Sequence, residues 1–128
     1  MKTQSTPAGS IRSITLRRDG KGALKFNGER IGSASRTNQI ETDKGEDITL
    51  ETSARLFKTS GGKYVVGIEE YDKTNEQYER RFAEAAASLQ ELVDALQPLR
   101  QRGVVDDDVL GELFEGTEVG EQFIEQID

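Results

Sequence analysis

The chain has 128 residues, enough for one domain with one real core. It holds no Cys and no His, which excludes disulfides, thiolate chemistry, Ser–His or Cys–His nucleophiles and histidine metal ligands. Its net charge of −7 is uneven. Residues 1–63 carry twelve Lys and Arg against seven Asp and Glu, and residues 64–128 carry five against seventeen.

Residues 1–10, MKTQSTPAGS, read as a disordered polar tail with no apolar core of the secretory kind. No apolar run approaches the roughly 18 residues of a membrane span. A cytoplasmic protein without a membrane partner is therefore expected.

Residues 11–18 alternate Ile14 and Leu16 with Ser13, Thr15 and Arg17, a strand pattern. Asp19-Gly20 turns the chain, and residues 23–27 resume with Leu24 and Phe26 in phase. Residues 32–46 are polar and rich in Ser, Thr, Asn and Gly, and read as a long loop or a short irregular strand near Asn38–Glu41. Residues 47–58 form the cleanest strand, with Ile48, Leu50, Ala54 and Leu56 on one face. After a Thr59–Gly62 turn, residues 63–72 return with Tyr64, Val66 and Ile68 in phase.

Residues 75–96 read as one amphipathic helix. Tyr78, Phe82, Ala85, Leu89, Leu92 and Leu96 follow steps of four and three, and Thr74 with Gln77 fits a capping box. The stripe serves either as the cover of a sheet or as a homodimer seam between Tyr78 and Leu96. Pro98 ends that helix near Leu96. Beyond Gly103 there are nine acidic residues and no Lys or Arg. A short helix over 106–114, opened by Asp106-Asp107-Asp108, and another over 118–127 are expected.

The fold class is α+β: a four-stranded, meander-like antiparallel sheet covered by one long helix, then one or two short acidic helices. The divisions are a tail at 1–10, a β-β-β-β-α domain at 11–103 and the acidic segment at 104–128. That order resembles the topology of single-stranded nucleic-acid binders of the Whirly type, which as an analogy of fold implies no function.

No pattern specifies a catalytic site, a metal or a cofactor. Asp106-Asp107-Asp108 lacks the alternation of a calcium loop, and Ser60-Gly61-Gly62-Lys63 lacks the rest of a phosphate-binding loop. Glu69 and Glu70 are strand neighbours and point to opposite faces. Two surfaces remain. One is basic, formed by Arg17, Arg18, Lys21, Lys25 and Arg30, and suits nucleic acid if aromatic side chains accompany it. The other is the acidic segment, where Asp106, Asp107, Asp108, Leu110, Leu113, Phe114 and Phe123 would dock on a partner protein or on the chain's own sheet. The expected function is a non-enzymatic protein-interaction module. The alternatives are a single-stranded nucleic-acid binder and an acidic mimic of nucleic acid.

Overall fold

The computed structural model describes residues 10–124, and these carry five strands followed by three short α-helices. The strands are β1 Arg12–Leu16, β2 Leu24–Glu41, β3 Asp47–Thr59, β4 Tyr64–Asp72 and β5 Gln77–Ala86. They form one antiparallel sheet in the order β1-β2-β3-β4-β5, each strand beside its neighbour in sequence. The helices are α1 Leu89–Ala95, α2 Gln97–Gln101 and α3 Asp107–Leu113, and a 3-10 turn spans Gly120–Phe123. Residues 1–9 of the expected tail and 125–127 of the expected last helix lie outside the described part.

The expectation of four strands and one long helix is corrected in two places. Residues 77–86 form β5 rather than the first half of a helix. The residues QYERRFAEAA favour a helix locally, but β4 is buried and needs a partner on its second edge. Tertiary pairing overrides propensity: Ile68 faces Phe82, Gly67 faces Ala83, and the pairing continues to Tyr64 opposite Ala86. As a strand, the segment turns Tyr78 and Phe82 to opposite faces, so the six-residue stripe does not exist as one surface. Only Leu89, Leu92 and Leu96 keep it, on α1 and its C-cap, and all three are buried. The seam drawn for a homodimer from Tyr78 to Leu96 is lost with the helix. Ser88 caps α1 by accepting from the Glu91 N–H, and Thr74 does not cap a helix at all. Its hydroxyl instead accepts from the Thr49 N–H and ties the β4–β5 turn to β3.

The second correction is β2, which runs through Glu41 where a loop, or at most a short irregular strand near Asn38–Glu41, was expected. Ala34 pairs with Ala54, and Ile40 pairs with Ile48. Small residues on one face and Ser33, Ser35, Thr37 and Gln39 on the other conceal the alternation. A bulge at Ile31 shifts the phase between the two halves.

Two apolar clusters hold the sheet. On one face Ala34, Ala54, Leu56, Val66 and Ile68 meet Leu89, Leu92, Leu96, Val105, Leu110, Leu113 and Phe114 from the helices and the connection before α3. On the other face Ile14, Leu16, Phe57, Val65 and Ala83 form a smaller core. That second core exists because the sheet curls. Leu16 of β1 lies over Gly67 of β4, where an added Cβ would come within 3.0 Å of its methyl carbon. The Asp19 N–H donates to the Arg81 carbonyl at 2.9 Å, and Arg18 donates to the Ala83 carbonyl at 3.2 Å. The end of the first strand thus meets the last strand, and the sheet forms a half-barrel.

A candidate acidic interaction face

The segment after Gly103 folds onto the sheet. Asp106 is the N-cap of α3, its carboxylate accepting from the Val109 N–H at 2.9 Å. Val109, Leu110 and Leu113 point inward and are buried, as is Phe114. At the other end of the helix the backbone passes so close to β2 that a Cβ on Gly32 would overlap the Leu113 carbonyl. Phe123 stacks on Phe114 with ring centroids 5.9 Å apart, and the Arg100 guanidinium sits 5.4 Å from the Phe123 ring. Residues on both sides of the expected 103/104 boundary share one core.

The charges of this segment divide into two groups. Asp106 and Asp108 both pair with Arg36 of β2, and Asp107 pairs with Arg100 of α2 at 2.7 Å. These pairs aim the helix, although partly exposed ion pairs contribute little to stability. Glu112, Glu115, Glu118 and Glu121 make no salt bridge among the described residues. With Asp107 and Asp108 they line an open cleft of about 880 Å3 whose apolar part is Phe123 and Ile124. Ile124 is 58% exposed.

So the acidic and apolar residues named from sequence separate. Leu110, Leu113 and Phe114 belong to the core, Phe123 is half-buried on it, and Asp106, Asp107 and Asp108 stand at the helix start.

The basic set does not converge. Arg17 and Lys25 are exposed, on the outer face of the first hairpin. Arg18 is held by the Gly22 and Ala83 carbonyls, and Lys21 lies 3.8 Å from Glu84. Arg30 sits opposite Phe57, on the face of Ile14 and Leu16. The aromatic companions missed from sequence are on that same face, farther along the sheet. Tyr78 is 51% exposed and packs edge-on against Tyr71 at 5.0 Å, with the Arg81 guanidinium 5.3 Å from its ring. Reading Tyr78 as part of a helix hid this pair. Its signal was available in the short turn at residues 73–76, which sets two tyrosines across a hairpin.

A third feature is a small polar cleft of about 150 Å3 on the helix side, lined by Arg36, Asn38, Thr52, Glu70 and Asp106 among others. Burial pushes the Glu70 carboxyl above its ordinary pKa, against the opposing pull of Arg80 at 3.6 Å. Two residues on, Asp72 is buried and shifted the other way. Its carboxylate accepts from the Asn75 side chain at 2.7 Å and from the Asn75 and Thr74 N–H groups at 2.9 Å, which holds its pKa below the usual range. Asp72 is a turn anchor. Among the described residues no group of three acidic side chains is placed to hold a metal ion, and no helix is long and apolar enough to cross a membrane.

Comparison with protein-family models, curated proteins and solved structures finds no match to this chain.

Proposed function

We propose that the protein is a non-enzymatic interaction module that presents the acidic cleft to a cationic surface of a partner protein. One observation carries the reading. The segment with no Lys or Arg buries Leu110, Leu113 and Phe114 in the chain's own core and leaves Glu112, Glu115, Glu118 and Glu121 outward, without cationic partners among the described residues. These four carboxylates around exposed Ile124 give a charged rim with an apolar contact, a composition suited to a basic partner. Their field speeds the encounter and selects for opposite charge more than it adds affinity.

The test is affinity capture with the intact chain and with a variant carrying Glu115→Lys, Glu118→Lys and Glu121→Lys. Charge reversal leaves the fold in place, whereas removing residues 104–124 would remove core. A basic partner recovered by the intact chain and lost from the variant is the expected result. Equal recovery by both proteins sinks the reading. If the recovered partner binds nucleic acid and this protein displaces that nucleic acid from it, the acidic face is a mimic of nucleic acid.

The second reading, single-stranded nucleic acid on the sheet, is favoured by Tyr71 and Tyr78 beside Arg81. Filter binding of a single-stranded oligonucleotide, repeated with Tyr78→Ala and at two salt concentrations, tests it. Binding insensitive to both excludes it.

A further inference from the structure

We propose that the open edge of β2, residues 31–41, takes up an extended Lys- or Arg-bearing segment of the partner protein as an added strand. The inference rests on the reading of a cationic partner and adds where and how that partner is held.

The edge is long, and among the described residues no strand covers it. β1 pairs with β2 only from Leu24 to Gly28, whereas β3 pairs with it as far as Glu41. From Glu29 onward the outer side of β2 has no strand among the described residues, so alternate N–H and C=O groups there have no ladder partner in the described sheet. Natural open edges are blunted by Lys, Pro, inward charge or a bulge. Here a bulge guards one end, at Ile31, and no Pro or Lys occurs between Gly32 and Glu41. Within that stretch Arg36 is the one cation, and Asp106 and Asp108 draw it toward α3. Ile31 and Ile40 bracket the edge, 36% and 40% exposed.

The charge of the occupant follows from what lies alongside. α3 runs beside the same edge, with Asp106 and Asp108 at Arg36 and the Leu113 carbonyl at Gly32. Glu112 lines a cleft of about 300 Å3 together with Ser33, Ser35 and Arg30 of β2. An added strand points every second side chain toward the helix side, where the Asp108 and Glu112 carboxylates are within reach. Its other side chains meet small hydroxyl-bearing neighbours, which tolerate many residue types. A partner strand with Lys or Arg at alternate positions therefore gains main-chain hydrogen bonds and paired charges together.

A second copy of this chain fits the edge less well. Antiparallel pairing of two β2 edges about a twofold axis keeps like faces together. It would bring two acidic α3 helices onto one side of the joined sheet, in a chain of net charge −7.

The experiment is residue-resolved amide exchange of the full chain, alone and with two synthetic peptides. One peptide alternates Lys and Val and is strand-prone. The other mixes Lys and Ala and is helix-prone. With the Lys–Val peptide, exchange at residues 31–41 is expected to slow by about tenfold or more. Asp108→Lys combined with Glu112→Lys, both at exposed positions, is expected to weaken that peptide by about tenfold. If both peptides perturb only residues 107–124 and β2 keeps its exchange rate, strand addition is wrong while the acidic-face reading stands. If neither peptide binds at low salt, both readings fail. Slow exchange at 31–41 in the peptide-free protein that rises with protein concentration assigns the edge to a second copy and overturns the proposal. Slow exchange that disappears when residues 1–9 are removed assigns it to the chain's own N-terminus, with the same consequence.

Discussion

Asp19 and Arg81 are bonded in both directions: the Asp19 N–H donates to the Arg81 carbonyl at 2.9 Å, and the Arg81 N–H donates to the Asp19 carboxylate at 3.0 Å. The pair joins the turn after β1 to β5, across three intervening strands. With the Arg18 bond to the Ala83 carbonyl, it ties the end of the hairpin to the last strand, alongside the packing of Ile14 and Leu16 with Phe57 and Val65. Asp19→Ala leaves the Arg81 N–H without its acceptor, and is expected to lower unfolding free energy by about 1 kcal/mol. Urea unfolding measures it. Thr15→Ala, a change at an exposed position of β1, is the comparison and should shift little.

Gly32 is the place where α3 touches the sheet by backbone. A side chain there overlaps the Leu113 carbonyl, so Gly32→Val must push the helix away or bend the strand. A loss of about 2 kcal/mol is expected, in the range of overpacked cores. Gly22 has open space around it, and Gly22→Ala should be close to neutral by the same urea titration.

Leu113 and Phe114 are fully buried while Glu115 beside them is exposed. Leu113→Ala or Phe114→Ala is expected to cost about 2–5 kcal/mol, and Glu115→Ala almost nothing. Equal and small effects from all three would mean that the acidic segment does not belong to the core.

β4 carries two carboxylates with opposite pH behaviour. Asp72 is held below its ordinary pKa by Asn75 and Thr74. Its stabilisation is complete above the unfolded value of about 3.9, and is lost as pH falls through the folded one. Glu70 is raised by burial. Its penalty is absent below its unfolded pKa and appears as pH rises through the folded pKa. Asp72→Ala should therefore be most destabilising at neutral pH and least at strongly acidic pH. Glu70→Gln should stabilise at neutral pH and lose that advantage near pH 4. Thermal unfolding of the three proteins across that range checks both signs.

The strands that alternate large apolar with polar residues were legible. β1, β3 and β4 fall at residues 11–18, 47–58 and 63–72 within a few positions, because burial of one face writes a period of two. The start of α3 was legible too, through Asp106 and the acidic run. β2 beyond the bulge was not, because Gly32 and Ala34 are small to admit α3, and small residues carry no hydrophobic signal. β5 was misread because its local preference is helical and its strand state is set by β4, a contact no window of sequence contains. That one error hid the exposed Tyr78 and supplied a dimer seam that the fold does not have. Asp106, Asp107 and Asp108 are exposed. What the sequence did not separate was which of their apolar companions face inward, since that depends on where the sheet lies.

The cover of the sheet comes after the sheet in sequence, and this sets an order of events during synthesis. All sheet contacts between neighbouring strands are hairpins, so they form early and locally. Leu56, Val66 and Ile68 stay open to water until α1 and α3 have been made. The contact of Arg36 with Asp106 spans 70 residues and closes late. In that interval the nascent half-barrel shows both an apolar face and the β2 edge, the two features through which chains aggregate. Asp106 and Asp108 at the start of α3 pair with Arg36 of β2, so the helix that completes the core also carries the charges that meet the sheet.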